Sequence, residues 1–452
     1  MVLNENNNDS GVSDLKGNKN HLKIAIIGSG ISGLSAAWLL NKNHEITLYE
    51  KNSYIGGHSN TAIIKIDEKI FPVDTGFIVF NPVNYPNLVA LFDLLGVETT
   101  ESNMSFSASL REGRFEYSGA SLSGLFAQPK NIVNARFISM LWNIYKFYNH
   151  APKLINDKSL QSTTLREFLV KFDYSDAFIF DHLIPMGAAI WSSSSKKMLD
   201  FPVLSFLQFF ENHGLMKFFD RPKWLSIKGG SKIYVDKIVN EFSSRALIKQ
   251  EVKRVERNGE NISITTSNNE KKNYDYVVMA CHADQTLELL EDPTDDEIEV
   301  LGSFKYQSNK VVLHTDINLL PKSKKAWSSW NYIGVGDDFK NQKLCVTYLM
   351  NHLQQLPTQK PIMVTLNPSK QIAPDKILNE YQYEHPLFDI NAMYSQKRLW
   401  DIQNINNTWF CGAYFGSGFH EDGLQSGLAV AEKLGGLKRP WSVSNQSGRI
   451  GL

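Results

Sequence analysis

The stretch Lys23-Ile-Ala-Ile-Ile-Gly-Ser-Gly-Ile-Ser-Gly33 joins an unbroken apolar run to three glycines with G-x-G-x-x-G spacing. An apolar run that does not alternate is typical of a parallel strand buried on both faces. Gly28 permits a tight turn, Gly30 lets the backbone approach a pyrophosphate, and Gly33 lets the next helix lie close to the strand. The free N–H groups of residues 29–33 would point at phosphates. The stretch therefore predicts a strand, a turn and a helix that bind a dinucleotide.

A second predicted strand, residues 45–49, ends at Glu50, about twenty residues beyond the glycine turn. A carboxylate there can accept hydrogen bonds from both hydroxyls of an adenosine ribose, and it argues against a 2′-phosphate because two anions would meet. The alternative is a doubly wound domain in which the glycines only make turns. The strand, the helix and the correctly spaced acid together favour dinucleotide binding.

Length and composition describe a globular protein with more than one domain. The chain has 452 residues, of which 42% are hydrophobic and 21% are charged, and this length suffices for two or three domains. Its 47 basic and 47 acidic residues give a net charge of zero, so we expect no nucleic-acid partner. The three cysteines are too scattered for a metal motif and too few for a disulfide framework, which predicts no metal site and a cytoplasmic protein.

Neither a signal peptide nor a membrane-spanning helix is expected. Residues 1–21 are rich in Asn, Asp, Ser, Gly and Lys and lack an apolar run, so they predict a disordered tail. No stretch reaches the roughly eighteen apolar residues that a spanning helix needs. Peripheral contact with the inner membrane surface stays open, because an exposed aromatic helical face could dock on lipid.

The segment after Glu50 continues with Gly56-Gly57-His58, which a plain nicotinamide dehydrogenase does not need. Paired glycines would let this loop fold back over the phosphates of the cofactor. The pattern E-x5-G-G-[HR] resembles that of the two-dinucleotide-binding flavoproteins, and it favours FAD over NAD. An ordinary Gly-Gly turn is the alternative.

The middle of the chain predicts a second region. Between about residues 130 and 220 apolar and aromatic residues recur at three- and four-residue spacing, which predicts a helical cap with its own core. Its many large aromatics fit plain core packing, but also an apolar substrate channel. Residues 310–315 alternate as a strand that places Lys310 and His314 on one face. A buried lysine and histidine are costly unless they are satisfied or used.

A second glycine-rich turn lies near the end of the chain. Residues 408–427 predict a strand, a glycine-rich loop and the start of a helix that continues to about Leu434. The start of that helix would place partial positive charge near an anion, such as the N1–C2=O edge of a reduced flavin. Two such turns, one near each end, indicate that the chain closes on a single cofactor.

These motifs make the chain similar to the flavin amine oxidase superfamily, which includes amine oxidases, phytoene desaturases and protoporphyrinogen oxidase. The blocks that carry this resemblance are residues 28–57, 73–77, 276–282 and 412–427. The blocks that resemble a bacterial subgroup, described as predicted NAD/FAD-binding or amine-oxidase-like proteins, are residues 312–316, 326–332 and 411–423. Members of that subgroup have been linked to the modification of fatty acyl chains.

The resemblance implies an α/β fold with two parts. One is a glutathione-reductase-like, two-dinucleotide-binding FAD domain with a doubly wound parallel sheet, made of residues 22–75, 222–300 and 402–437. The other is an α+β substrate domain with the helical cap, made of residues 76–221 and 301–401. The FAD would be bound non-covalently, because no cysteine lies where the monoamine oxidases attach theirs.

The resemblance also implies roles for single residues. The implied cofactor contacts are Gly28, Ser29, Gly30, Ile31, Ser32, Gly33, Glu50, Lys51, Gly56, Gly57, His58, Thr75, Gly76, Val252, Ala280, Gly412, Asp422, Gly423 and Leu424. Lys310 matches a lysine that contacts flavin N5 through water in amine oxidases, and His314 would assist it. Tyr414 and Phe419 would flank the ring in the substrate pocket, where Tyr332 is a candidate polar anchor. A two-tyrosine cage is not evident.

The predicted function is FAD-dependent oxidation, in which a hydride equivalent passes from an apolar substrate to flavin N5 and then to oxygen or another acceptor. A fatty acyl or other lipid chain is favoured because the cap offers aromatics and few carboxylate anchors. An amine oxidase is one alternative. A flavoprotein that binds FAD only as a structural or sensory element is another. The oligomeric state is left open.

Overall fold

The computed structural model describes residues 21–259, 261–336 and 345–452, so almost all of the predicted tail lies outside the described residues. The strands are β1 (Lys23–Ile27), β2 (Glu45–Tyr49), β3 (Thr61–Ile66), β4 (Lys69–Asp74), β5 (Val79–Phe80), β6 (Thr99–Ser102), β7 (Phe106–Leu110), β8 (Phe115–Ser118), β9 (Trp224–Ile227), β10 (Ala246–Leu247), β11 (Val252–Arg257), β12 (Ile262–Thr266), β13 (Lys271–Tyr274), β14 (Tyr276–Met279), β15 (Lys305–His314), β16 (Trp330–Ile333), β17 (Val346–Leu349), β18 (Met363–Leu366), β19 (Ile377–Leu387) and β20 (Thr408–Phe410). The α-helices are α1 (Ile31–Leu40), α2 (Pro86–Leu95), α3 (Leu122–Leu125), α4 (Ala135–His150), α5 (Leu165–Lys171), α6 (Asp176–Phe178), α7 (Ile184–Trp191), α8 (Ser195–Leu199), α9 (Val203–Asn212), α10 (Lys232–Val239), α11 (Ala283–Leu289), α12 (Asp295–Gly302), α13 (Met350–Leu353), α14 (Ile390–Gln396) and α15 (His420–Lys433). None of the described helices is long and apolar enough to cross a bilayer.

Five strands form a parallel sheet in the order β10-β2-β1-β14-β20. β1 lies at its centre and pairs with β2 on one side and β14 on the other. Both faces of β1 are covered, which explains its continuous apolar sequence. Ile24 and Ile26 pack in one core with residues of α1 and α15, and Ala25 and Ile27 pack in another with residues of β11 and β12. The predicted doubly wound parallel sheet is confirmed.

Seven strands form a second sheet in the order β19-β15-β18-β17-β16-β7-β8. Its neighbours are antiparallel except for β16 and β7, which are parallel. Val311 and Leu313 of β15 face the core of the helical cap, which α4–α9 form. Val312 faces the opposite side, where it packs with Leu319 and Ile333 in a small separate core. The α+β region with a helical cap is therefore present as predicted.

Smaller antiparallel sheets complete the strand arrangement. β3 and β4 form one hairpin, and β11 and β12 form another around Asn258-Gly259. α10 begins after Ser231, but the Ser231 hydroxyl does not cap the helix. It donates instead to Oδ1 of Asp74 (2.8 Å). This bond links the start of α10 to the end of the first hairpin.

The two glycine-rich turns lie side by side because α1 and α15 pack against each other. A Cβ added at Gly427 would lie 2.1 Å from the backbone oxygen of Ser32, and one added at Gly423 would lie 2.8 Å from Cγ2 of Ile31. Only glycine allows this approach of the two helices. The geometry agrees with the expectation that turns distant in sequence meet at one site.

The segment around α2 packs with the parallel sheet. Phe80, Leu88, Leu91 and Phe92 lie in the same core as α1 and α15, although the sequence assigns residues 76–221 to the substrate domain. The apolar positions of α2 predict its helix but not the layer on which it packs. The domain limits inferred from sequence stay predictions.

Candidate active site

The first glycine turn brings β1, α1 and the end of β14 into close contact. Gly28 has a φ of +105°, and a Cβ there would lie 2.7 Å from the backbone oxygen of Ala280, so only glycine fits. A Cβ at Gly33 would lie 1.9 Å from the backbone oxygen of Gly28, whereas a Cβ at Gly30 would meet nothing within 4 Å. Gly28 and Gly33 hold the turn against the sheet, while Gly30 borders open space.

The start of α1 is a buried helix end without a negative partner. Every residue of α1 is buried, Gly30 supplies no side-chain cap, and the first turn contains no acid. The N–H groups of Ile31, Ser32 and Gly33 have no acceptor within the helix, as in any first turn. Because buried N–H groups are nearly always satisfied and helix starts attract anions, this end fits a pyrophosphate.

Glu50 is fixed at the end of β2. Ser29 donates to Oε2 from its N–H (3.1 Å) and its hydroxyl (2.5 Å), and the N–H of Asn52 donates to Oε1 (2.8 Å). The N–H of Gln250 donates to the backbone oxygen of Glu50 (2.9 Å), which brings Val252 to the same edge of the sheet. These bonds hold the carboxylate where a ribose could donate to it. The ribose and adenine contacts of Glu50 and Val252 stay predictions.

The loop with paired glycines folds over the first turn, as its sequence predicts. The N–H of Gly56 donates to the backbone oxygen of Ser29 (3.1 Å). A Cβ at Gly57 would lie 3.0 Å from Cα of Gly30, so the two backbones touch at the point where space opens beside Gly30.

Residues 75–77 lie on the other side of this loop. The N–H of Phe77 donates to the backbone oxygen of His58 (2.7 Å), and a Cβ at Gly76 would lie 2.3 Å from that same oxygen. Thr75 shares a hydrogen bond with the hydroxyl of Tyr383 (2.8 Å). The segments predicted to contact the phosphates and the ring therefore form one continuous layer.

The second glycine turn is shaped by Asp422. Its carboxylate accepts hydrogen bonds from the N–H groups of Ser417 (3.0 Å) and Phe419 (2.8 Å) and from Nε of Arg449 (2.6 Å). These three partners occupy the carboxylate and fold the loop back onto the helix start. Asp422 thus orders the turn, and its oxygens are already engaged.

The base of the second turn is closed by Gly412 and Ser426. The N–H of Gly412 donates to Oγ of Ser426 (3.0 Å), and the side chain of Leu424 is fully buried in the core that α1 shares. The N–H groups of His420 and Glu421 begin α15 and have no acceptor within it. A flavin contact at this turn would therefore come from the backbone of the helix start.

Four histidines near these turns are kept neutral by burial. Burial lowers the pKa of His58 and His282 to about 4 and that of His385 and His420 to about 3. The positive charge of Lys51 adds to the effect of burial on the His282 pKa. The rings of His58 and His385 lie 5.2 Å apart, and Nε2 of His58 is buried without a hydrogen-bond partner. A bound cofactor could supply that partner.

Phe419 connects the second turn to the aromatic core of the cap. Its ring stacks on Phe209 with centroids 4.8 Å apart, and Phe209 lies 4.7 Å from Trp191. Tyr332 is buried in the same core. The cap therefore reaches the start of α15 through aromatic side chains. Two of the three predicted pocket residues, Phe419 and Tyr332, pack in or against the core of the cap.

Tyr414 lies elsewhere. Its side chain is buried in the core beneath the parallel sheet, where its ring lies 5.2 Å from both Phe304 and Phe415. The short 3₁₀ turn Ala413–Phe415 directs this ring away from the cap. The structure thus does not place Tyr414 in the substrate pocket predicted for it.

A family model decides the identity of this fold. The family described as flavin containing amine oxidoreductase matches residues 31–384, well over half of the chain. The chain belongs to this family of FAD-dependent oxidoreductases. The resemblance seen in the sequence is therefore confirmed, and FAD is the cofactor.

Relatives of this flavin-dependent oxidoreductase share a short segment or the fold. The zeta-carotene desaturase of Capsicum annuum is 37% identical over 78 residues, which are 17% of this chain and only 13% of the relative's length. A putrescine oxidase structure with bound putrescine superposes with a TM-score of 0.64 at 13% identity, covering 92% of this chain and 99% of that one. The CLA-producing fatty acid isomerase of P. acnes gives 0.63 at 16% identity, covering 91% and 97%.

The residues of the two turns fit FAD. The buried, uncapped start of α1, the open side of Gly30 and the fixed carboxylate of Glu50 suit a pyrophosphate and a ribose. The backbone N–H groups at the start of α15 and the unpartnered Nε2 of His58 lie at the adjoining turn and loop. Because both turns meet through α1 and α15, a single cofactor can contact both.

The contacts of Lys310 and His314 differ from those expected of the predicted catalytic residues. Lys310 is on the face of β15 that points away from the cap, where its side chain is 53% exposed and pairs with Glu380 (2.7 Å). His314 is buried, but Nδ1 accepts from the N–H of Asp316 (3.0 Å) and Nε2 bonds to Oγ1 of Thr365 (2.7 Å). The prediction of a buried, catalytic pair is wrong for Lys310, and His314 has the contacts of a satisfied core histidine.

Sequence reasoning missed His282, His385, His420 and Tyr383. His282 and His420 lie inside motif blocks that carry the family resemblance. Their position in those blocks could have identified them as candidate site residues. His385 and Tyr383 lie on β19, and their approach to the site depends on the pairing of β19 with β15. Nothing in the local sequence shows that pairing.

Proposed function

We propose that this oxidoreductase removes a hydride equivalent from a C–H bond of an apolar substrate, namely a fatty acyl or other lipid chain. Bound FAD supplies the hydride acceptor at N5. The observation that carries the proposal is the stacking of Phe419, at the start of α15, on Phe209 of the cap (4.8 Å). An aromatic lining at that junction favours an apolar chain over a charged group.

The electrostatics near the site support an uncharged substrate. Four neutral histidines offer hydrogen bonds without charge, because burial lowers the pKa of each to about 3 or 4. The carboxylate of Asp181, buried in the cap, is paired with Arg111 (2.8 Å) and Arg136 (2.6 Å). An ammonium group bound inside the cap would need an anionic partner, and this carboxylate is already engaged.

The chain's own part in the reaction is to bind, orient and exclude water. The start of α1 and Glu50 would hold the cofactor at its phosphates and ribose. Residues 56–58 would lie beside the phosphates, and Thr75 and Gly76 would contact the ring. Phe419 would hold the substrate carbon against that ring, since hydride transfer needs positioning more than a strong acid or base.

The names of two similar proteins agree with an apolar substrate. One is a carotene desaturase and the other a fatty acid isomerase. The first match covers a small part of that protein and the second shows the fold, so they support the substrate class without fixing it.

Non-covalent FAD binding is also proposed. Cys281, in the turn that follows β14, is the cysteine beside Ala280 and the first glycine turn. Burial raises the pKa of its thiol to about 11, so the nucleophilic thiolate is scarce at neutral pH. Acid precipitation should therefore release FAD into the supernatant. Flavin that stays with the precipitated protein would contradict the proposal.

The function is tested by mixing the FAD-loaded protein anaerobically with fatty acyl compounds and, separately, with primary amines. We expect loss of oxidised flavin absorbance with the acyl chains. Phe419→Ala should slow this bleaching while FAD content is kept, and Phe219→Ala, which removes an 84% exposed phenylalanine of the cap region, should leave it unchanged. Two results would overturn the proposal. One is bleaching by the amines but not by the acyl compounds, and the other is no bleaching by the acyl compounds, the amines or a total lipid extract.

Amine oxidation is the second candidate, and one observation favours it. Tyr381 and Tyr383 of β19 are parallel, with ring centroids 5.9 Å apart and an interplanar angle of 1°, although the sequence shows no evident tyrosine cage. Aromatic faces attract the ammonium form of an amine, which would lose its proton before oxidation. This candidate predicts peroxide and aldehyde from a neutral amine, and a strong loss of rate in Tyr381→Leu but not in Tyr394→Leu, which removes an exposed tyrosine of α14.

A further inference from the structure

Helix α4 is apolar on two opposite faces. Phe137, Met140 and Phe147 are fully buried in the cap core. On the other side Ile138, Trp142 and Tyr145 are 51%, 65% and 54% exposed, at the spacing that puts three side chains on one face. A helix face made of large apolar side chains is ordinarily covered. The second face of α4 has no cover from the rest of the described chain.

The exposed face continues into the turn before the helix. Ile132 and Val133 are 57% and 84% exposed, and the rings of Trp142 and Tyr145 stack with centroids 5.8 Å apart. We call Ile132, Val133, Ile138, Trp142 and Tyr145 the α4 stripe. Single exposed apolar residues are ordinary. A group of large exposed apolar residues close together marks a surface that a membrane or another molecule covers.

Basic residues frame the α4 stripe at both ends. Lys130 precedes the helix and Lys153 and Lys158 follow it, and all three are exposed. Residues 129–158 hold five lysine or arginine side chains and one carboxylate, Asp157, in a chain whose net charge is zero. Aromatic residues between basic ends match the two layers of an anionic bilayer surface, namely its acyl boundary and its headgroups.

We propose that the α4 stripe docks this protein on the surface of an anionic lipid bilayer. The helix would lie in the plane of the interface with Trp142 and Tyr145 at headgroup depth, where aromatic rings with a polar edge are most stable. Its 16 residues span about 24 Å at 1.5 Å per residue. The cations at both ends favour lipid over a second copy of the chain, which would bring like charges together. The docking stands whether or not the substrate is a lipid.

The test is flotation of the FAD-loaded protein with two kinds of vesicle, phosphatidylcholine alone and phosphatidylcholine with phosphatidylglycerol. The test variant combines Ile138→Ser, Trp142→Ser and Tyr145→Ser, three exposed positions whose replacement leaves the core intact. The matched control combines Ile63→Ser and Ile70→Ser on the first hairpin, where the side chains are 65% and 68% exposed. FAD content and thermal midpoint are recorded for each, so that a folding defect is recognised.

We expect wild type to bind the anionic vesicles at least tenfold more tightly than the neutral ones, and more weakly at high salt. The triple variant should lose at least tenfold in affinity for anionic vesicles, while the hairpin control binds like wild type. A third variant, Lys130→Glu with Lys153→Glu, should lose binding to anionic vesicles only. Three results would overturn the proposal: no vesicle binding by wild type, equal binding by the triple variant, or a wild-type dimer in solution that the triple variant abolishes without any lipid binding.

Discussion

Glu50 is the residue that, we propose, holds the adenosine ribose of the cofactor. Its two oxygens are already oriented by Ser29 and Asn52, so they would meet a ribose without reorganisation. Glu50→Ala should weaken FAD binding by about 1–3 kcal/mol, because two buried ribose hydroxyls lose their acceptor. The measurement is a fluorescence titration of apoprotein with FAD. Glu45→Ala, at the exposed start of the same strand, is the control and should bind like wild type.

The burial of His314 predicts that the free energy of unfolding depends on pH. Burial lowers its pKa from 6.5 to about 4, and protonation of Nδ1 would break the bond from the N–H of Asp316. Below pH 6.5 the unfolded chain binds a proton that the folded chain does not, so the free energy of unfolding falls as the pH falls toward 4. Between pH 7 and 5 the contribution of His314 to this loss should be roughly 2 kcal/mol, to which the other buried histidines add.

Urea unfolding at pH 7 and at pH 5 measures that difference. His314→Gln should be less stable than wild type at pH 7 but should show the smaller loss between the two values, while its flavin is reduced at the wild-type rate. Equal pH dependence in the two proteins would contradict the neutral, structural role, and a slower flavin reduction would return His314 to the catalytic residues.

Single residues could be predicted from sequence where their role is local. Gly28, Gly33 and Glu50 act through the turn and the strand end in which they lie, and the structure gives each the geometry that its motif predicts. The prediction for Lys310 was wrong because the strand pattern shows which residues share a face but not which face meets the cap. Val311 and Leu313 lie on the face that meets the cap, and Lys310 lies on the opposite face, where its side chain is exposed to solvent.

The packing of α1 on α15 is the feature that unites the two turns at the scale of elements. A methyl group at Gly427 would lie 2.1 Å from the backbone oxygen of Ser32 and 2.2 Å from Oγ of Ser35. Gly427→Ala should therefore force the helices apart, cost about 1–3 kcal/mol of stability, and reduce FAD retention. Thermal unfolding with flavin release measures both effects.

The matched control for that variant is Gly302→Ala at the end of α12. Its added Cβ would meet only Cδ1 of Leu287, at 3.7 Å, and alanine has the higher helix propensity. It should be neutral or slightly stabilising. Equal stability of the Gly427 and Gly302 variants would show that close helix approach is not what joins the turns.

Regular elements could be predicted where the local sequence is distinctive, as for the continuous apolar run of β1 and the glycine-rich turn before α15. The cap helix over residues 176–191 could not, because a π-helical turn, Ile179–Leu183, separates α6 from α7. That turn lets Asp181 reach Arg111 and Arg136, a long-range requirement that local spacing does not report. The place of α2 on the parallel sheet was missed for the same reason.

Residues after α15 pack back against the second glycine turn. Arg439 pairs with Glu432 (2.8 Å), and Arg449 pairs with Asp422 (2.6 Å) at the second glycine turn. The sequence after about residue 434 shows no motif, so its role could not be predicted. The structure shows that this segment supports the candidate site, because Arg449 fixes the Asp422 carboxylate that folds the loop before α15.

The most direct measurement of the central claim is the binding of FAD to wild type and to Gly30→Val. The Gly30 position has an extended backbone, and an added Cβ meets nothing within 4 Å, so the variant should fold normally while its side chain fills the space beside the start of α1. We predict one FAD per wild-type chain, no measurable binding by Gly30→Val, and wild-type binding by Gly119→Val, whose added Cβ is equally free of contacts. Undiminished FAD binding by Gly30→Val, or wild-type protein that cannot take up added FAD, would contradict the account.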